Sequence, residues 1–344
     1  MNISRSHVVV AAALVLSACS SDQDATPNRQ SVTEPVATEV AVAPTSAPHA
    51  PVTTLPPVVD VGERLRATIP VDNTADSIAI ADDAVWVSGW DGQLVSRVDI
   101  DTNEVVTVDV GSPGTRVATG LGGVWVGVDG GQLVRLDPLT AEVVATIEIG
   151  GDTAVPLIGD DAVWVESIGS SRLSRIDPAT NEVTGTIDVS SSGAEVQGAV
   201  VGGGSLWVSL CDRGLVSVDQ QTLAVSEPIA LDGCAGTLGF TDGSLWVAMD
   251  DQRTVRVDPV GRMVETVVEI GPDDGAGFMA TGDDAVWVPV NTATVARIDT
   301  ATNTVTEILD LGRSGQVAGP QRSVTYLQAG DYSRNTVLRI EPLL

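Results

Sequence analysis

Seven side chains stand outside the repeating pattern of this 344-residue chain and carry groups able to do chemistry: Trp90, Arg116, Glu166, Glu195, Arg213, Arg313 and Tyr332. Exposed aromatic rings among guanidinium groups suit recognition of a peptide, a sugar or another anion-bearing ligand. The ring supplies apolar contact area, and the guanidinium fork binds oxyanions through paired hydrogen bonds. Glu166 and Glu195 could move protons, and with 46 acids in the chain carboxylate acid–base work stays available. Nucleophilic catalysis is poorly supplied. Both histidines, His7 and His49, precede the repeats, lysine is absent, and two of the three cysteines can pair with each other. The residue types favour binding over catalysis, so no catalytic residue, cofactor or metal is assigned.

The elements that must position these groups are copies of one unit. Tryptophan recurs at Trp86, Trp125, Trp164, Trp207, Trp246 and Trp287, and Tyr326 stands where a seventh would, with gaps of 39, 39, 43, 39, 41 and 39 residues. Twelve to fifteen residues after each aromatic comes an acid: Asp99, Asp137, Asp177, Asp219, Asp258, Asp299 and Glu341. Seven copies of a roughly 40-residue, all-β unit predict a seven-bladed β-propeller of four-stranded antiparallel blades.

Within a unit, Asp76–Ile80 reads as a first strand and Val85–Val87 as a second, apolar at consecutive positions and so buried on both faces. Gln93–Asp99 and Glu104–Val110 alternate and read as a third and a fourth. The recurring tryptophan is then a wedge between blades. In Asp137-Pro138-Leu139-Thr140 and Asp177-Pro178-Ala179-Thr180 the acid opens a type I turn and its carboxylate accepts backbone N–H groups. The Asp-Asp pairs at 82–83, 160–161 and 283–284 exchange with Gly-Gly at 122–123 and 203–204, as turns allow and a calcium site does not. Glu63–Val71 matches a fourth strand, whereas the chain stops after a third strand, Val337–Glu341. The amino-terminal strand should therefore complete the last blade and close the ring, leaving no long unpaired edge.

Units built as a turn, Val-Trp-Val, then Arg-Ile-Asp-Pro-Ala-Thr-Asn-Glu-Val and a Pro-Gly or Asp-Gly opening resemble YVTN-type and streptogramin-lyase-like propellers from about residue 61 to the end. The matching residues are scaffold, so the resemblance implies the fold. Lyases of the second group depend on a histidine and acidic partners with magnesium. With no histidine in the ring, no position here inherits that role. A calcium-dependent lactonase of propeller type is the alternative enzyme reading, and a purely structural envelope protein is a third.

Sites on a symmetric scaffold belong where the copies differ, in loops. The loop between strands two and three and the loop into the next blade share one face. There fall the long connection Ser190–Glu195, the hairpin Ala329–Arg334 of the last unit, and Trp90, Arg116, Glu166, Arg213 and Arg313. Cys211 and Cys234 occupy these two loop types at the junction of the fourth and fifth units and are expected to form a disulfide; paired zinc-ligand thiols are the alternative, with no further Cys or His in the repeats to complete a site.

The amino terminus carries Arg5, an apolar run from Val8 to Leu16, and Leu16-Ser17-Ala18-Cys19. The run is too short to span a bilayer and reads as a secretory signal. Its ending resembles the lipobox of bacterial lipoproteins, which implies cleavage after residue 18 and lipidation of Cys19. Residues 19–60, rich in Thr, Pro, Ala and Val, read as an extended tether, and 61–344 as the propeller. Cleavage would remove one arginine and no acid, leaving 46 acids against 17 arginines, a net charge of −29. Such a charge repels nucleic acid. The expectation is an exported, monomeric propeller, held at the cell membrane or envelope through Cys19, that binds an envelope protein, peptide or glycan.

Overall fold

The computed structural model describes residues 54–344 apart from 168–170, 190–195, 212, 272–278, 283, 292, 312–316, 319–326, 332–334 and 341–344. It is an all-β propeller of antiparallel blades. The described strands form seven sheets: five are four-stranded, one has five strands, and the sheet of Val196–Gly202, Ser205–Leu210 and Gly214–Asp219 has three. Where that sheet would carry a fourth strand, isolated bridges join Leu215 to Ile229 and Val218 to Val225.

The second strand of each blade is the reason the blades stack. Ala84–Ser88, Gly123–Val128 and Val163–Ser167 are buried at every position. Successive side chains point to opposite faces, so such a strand must be covered twice. Trp86 packs with Val117, Val124 and Val126 of the following sheet, whereas Val85 and Val87 pack with Ile69, Val71 and Val337 of the sheet at the chain ends. Trp125, Trp164, Trp246 and Trp287 are likewise fully buried, and Trp207 nearly so. The expected wedge is what the structure contains.

The turns after the third strands follow their acids. Asp99 Oδ1 accepts the N–H groups of Asp101 and Thr102, and Asp137 Oδ1 those of Leu139 and Thr140. Four residues after the acid the backbone turns left-handed, at Asn103, Asn181 and Asn303 among others. Asn tolerates that region better than most residues, which accounts for the recurring Thr-Asn.

A column of arginines runs through the blades, one on each third strand but one, and Arg97, Arg135, Arg256 and Arg339 of it reach a carbonyl of a neighbouring blade. Arg97, Arg135, Arg175, Arg256 and Arg297 lie directly opposite the tryptophans in register. Arg135 stacks on Trp125 with 4.9 Å to the ring centroid, donates to Gly122 O at 3.1 Å, and reaches Pro178 O and Asn181 Oδ1 of the next blade at 2.5 and 2.8 Å. Arg256 repeats this with Trp246, Thr300 O and Asn303 Oδ1. Where a turn carries an acid pair, the second acid takes the guanidinium instead: Asp83 with Arg97, Asp161 with Arg175, Asp284 with Arg297. Arg339, on the last strand described, donates to Ile100 O of the first blade.

The chain ends meet as the sequence suggests. Leu65–Pro70 pairs antiparallel with Thr336–Ile340, from Leu65 opposite Ile340 to Pro70 opposite Thr336. One feature differs from expectation. Val58–Asp60, placed at the end of the expected tether, forms a short strand parallel to Thr304–Asp310, with Val58 opposite Ile308 and Asp60 opposite Asp310. Asp60 then accepts Gly62 N–H to cap a single 3-10 turn, and Arg64 forms an ion pair with Glu307, a nearly sealed carboxylate. A three-residue parallel pairing has no alternation long enough to be seen in the sequence.

Cys211 and Cys234 are disulfide-bonded, with Cα atoms 4.5 Å apart and a sequence separation of 23. Replacing both by Ser should lower unfolding free energy by about 3 kcal/mol in the chain-entropy account, seen as a lower urea midpoint. Arg135→Ala should cost about 2 kcal/mol, because it strands three acceptors and unstacks a ring, and Arg135→Lys should not restore it, since a point charge cannot span them.

Candidate functional site

The pairing of first and second strands sets one face of the ring. Ser77 lies opposite Ser88, Gly114 opposite Val128 and Ala154 opposite Ser167, so each second strand ends where a first strand begins. The loops that follow second strands and those that enter new blades therefore share this face.

Trp90 sits in such a loop and is 44% exposed, unlike the six buried tryptophans. The loop is held from beneath. Asn73, fully buried, donates its side-chain N–H groups to Val87 O at 2.9 Å and Leu94 O at 3.1 Å, and its Oδ1 accepts Ala75 N–H at 3.0 Å. Asp91 accepts Thr74 N–H at 3.1 Å. Gly89 makes the close approach possible, since a Cβ there would lie 2.7 Å from Thr74 N. Arg116, on the first strand of the next blade, covers the indole at 5.7 Å to its centroid and pairs with Asp76 Oδ2 at 3.2 Å. Asp76 is fixed in turn by its N–H bond to Ser88 O at 2.9 Å. Trp90, Arg116 and Asp76 thus form one braced unit.

Glu166 belongs to the same region but not to the rim where the sequence suggests it. It is 7% exposed, on the second strand of the third blade and two residues beyond Trp164. The same slot holds the small residues Ser88, Gly127, Ser209, Ala248 and Pro289 in five other units and Gln328 in the last. Alternation puts Glu166 on the side of Trp164, which packs against Val196, Leu206 and Val208 of the following blade. Its counterpart Ser209 spans such a junction, donating to Gly236 O of the next blade at 2.6 Å. Glu166 makes no hydrogen bond among the described residues. Burial pushes its carboxyl up to about 7, with the Arg116 charge pulling it back.

The remaining candidates are more scattered. Arg213 is exposed in the loop after Ser205–Leu210, at a cleft of about 230 Å³ lined by Asp188, Leu210, Val216, Glu227 and Pro228. Glu195, Arg313, Tyr332 and Cys19 lie outside the described residues. Among the described residues no group of three or more His, Cys, Asp or Glu side chains could hold a metal ion. Asp76 and Asn73 went unnoticed in the sequence. Aligning the units on their tryptophans would have flagged Asp76, which stands where other units have Thr115, Ala154, Gln197 and Gly236.

The pH dependence of stability separates these acids. Asp99, Asp137 and Asp219 are held below the usual carboxylate range, chiefly by the N–H groups of Thr102, Thr140 and Thr222; Asp299 is held down chiefly by the Thr302 hydroxyl. Their contribution is present above the unfolded value of 3.8 and is lost as pH falls below it. Glu166 acts in the opposite sense. Its folded value of about 7 exceeds the unfolded 4.5, so stability falls as pH rises between them and is flat above. The full difference is on the order of 3 kcal/mol. Glu166→Gln should therefore be more stable than wild type at pH 8 and nearly equal to it at pH 4.5, by urea denaturation at both; parallel curves at the two pH values would contradict this placement of the charge.

No protein-family model and no curated protein matches this chain, so its function rests on the geometry of this face.

Proposed function

We propose that this chain is a lipid-anchored, extracytoplasmic binding module: a seven-bladed propeller, with the three-stranded sheet as one blade, that holds a protein, peptide or glycan at the cell envelope. The observation that carries the reading is Trp90. Six tryptophans are sunk between blades, while this one stands 44% exposed on the loop-rich face, with its loop pinned by Asn73 and its ring backed by Arg116. An aromatic group pre-organised in this way loses little rotamer freedom on contact, as binding anchors require. The count of seven is supported by seven sheets and by the pairing of Leu65–Pro70 with Thr336–Ile340. The YVTN-type and streptogramin-lyase-like resemblance of the repeats is in keeping with it.

Anchoring rests on the Leu-Ser-Ala-Cys sequence ending at Cys19. A second reading, a metal-dependent propeller enzyme of lactonase or streptogramin-lyase type, draws on Glu166, a carboxyl poised near neutrality and so suited to proton transfer. Turnover of a lactone or a streptogramin by the purified protein, lost in Glu166→Gln, would favour that reading over binding.

Trp90→Ala should cut partner capture from envelope extracts by about tenfold or more while changing stability by less than about 1 kcal/mol, as for an exposed anchor. Capture equal to wild type would sink the binding role of this face. Cys19→Ala should move the protein from the membrane pellet to the soluble fraction, and a mutant that still pellets would refute the anchor.

A further inference from the structure

Among the described residues, Trp90 is the one large apolar side chain exposed in the loops that follow second strands or enter new blades. Leu139 and Val260 sit in turns after third strands, and Val106, Val143 and Val144 on fourth strands. The surroundings of Trp90 are polar. Asp91 follows it in the chain, exposed, with Oδ1 accepting Thr74 N–H at 3.1 Å. The Arg116–Asp76 pair lies against it, each of those side chains 14% exposed. A protein partner settling here would bury roughly 800 Å² on each side around an apolar centre depleted of charge. One indole beside two carboxylates and a guanidinium does not supply such a centre. It is enough for a thin ligand that covers a single ring.

The charges select further. The Arg116 guanidinium lies over the indole, 5.7 Å from its centroid, so the place a cation would take is filled and a second cation meets its charge. An anion meets Asp91, an arginine already paired with Asp76, and a chain of net charge −28. An uncharged ligand remains, with an apolar face for the ring and hydroxyl groups for a carboxylate. A pyranose has that build. Its axial C–H groups make a flat face of partial positive charge that suits the electron-rich face of an indole, while its equatorial hydroxyls point outward. Asp91 can accept them, since a carboxylate offers about four lone-pair positions and Thr74 N–H occupies one. We infer, resting on the binding reading above, that the ligand of this face is an uncharged glycan, one pyranose of which stacks on the side of Trp90 away from Arg116 and donates hydroxyls to Asp91.

The full-length protein is titrated with three uncharged hexasaccharides, cellohexaose, maltohexaose and chitohexaose, and with anionic hexagalacturonate. Binding is read by calorimetry and by acrylamide quenching of tryptophan fluorescence, which reports chiefly on Trp90 because the six other tryptophans are buried. At least one uncharged hexasaccharide should shield Trp90 from quenching and bind about tenfold or more tightly than hexagalacturonate. Its affinity should change by less than about twofold between low and high salt, as for a contact without net charge. Trp90→Ala should lower that affinity about tenfold or more, and Trp90→Phe, which keeps a ring, by less. The inference is overturned if none of the three shields Trp90, if hexagalacturonate binds as tightly, or if the affinity survives in Trp90→Ala. The wild-type comparisons stand whether or not a variant folds. Envelope capture lost in Trp90→Ala, with none of these sugars bound by wild type, would remove the glycan and keep the binding module; unchanged capture with no sugar bound would remove both.

Discussion

A β-strand with apolar side chains on both faces has nowhere to be stable except between two neighbours, and this chain contains such a strand in blade after blade. Each Val-Trp-Val strand covers its predecessor and is covered by its successor, so no blade has a core of its own. Burying a tryptophan removes 150–250 Å² of surface, and truncating one costs about 3–5 kcal/mol. The stack gains at every interface but leaves two faces bare if it stays open. Val85 and Val87 of the first blade pack on Ile69, Val71 and Val337 of the sheet that joins the chain ends, and Arg339 reaching Ile100 adds a polar tie between those two sheets.

The arginine column follows from the same geometry. A wide indole opposite a third-strand residue leaves a surface that a planar guanidinium can cover, and the fork then reaches the carbonyls of the next turn. Arg97, Arg135, Arg256 and Arg339 thus tie neighbouring blades through carbonyls and Asn side chains, while Arg175 and Arg297 are spent on turn acids of their own blades. With 46 acids against 18 arginines, most carboxylates have no arginine to pair with in any case.

Against this repeating economy Glu166 is the local conflict. A carboxyl buried in a slot that five other units fill with small side chains and the last with Gln328 destabilises the fold near neutral pH, by the same physics that makes it a poised acid. Symmetric scaffolds concentrate such exceptions where they act, and here the exception lies on the face that also carries the one exposed tryptophan. Stability lost at a single blade junction is tolerable because the other junctions keep their regular packing.

The sequence alone determined the repeat, the order of strands within it, the tryptophan wedge, the turn acids and the pairing of the chain ends. The first four are local patterns copied many times, and the last follows from them, because Glu63–Val71 reads as the strand type that the final unit lacks. The disulfide was legible because Cys211 and Cys234 fall in loops that the repeat brings to one face. Only the tertiary structure could show the parallel strand Val58–Asp60, which is three residues long and pairs with a segment some 250 positions away. It also decided the roles of the candidate site residues. Arg116 reads as a ligand contact until Asp76 and Trp90 are seen beside it, and Glu166 reads as a rim acid until its side is seen to face the next blade. Those roles depend on which blade a side chain turns toward, and a period-two strand pattern fixes the face of a side chain without revealing what stands across from it.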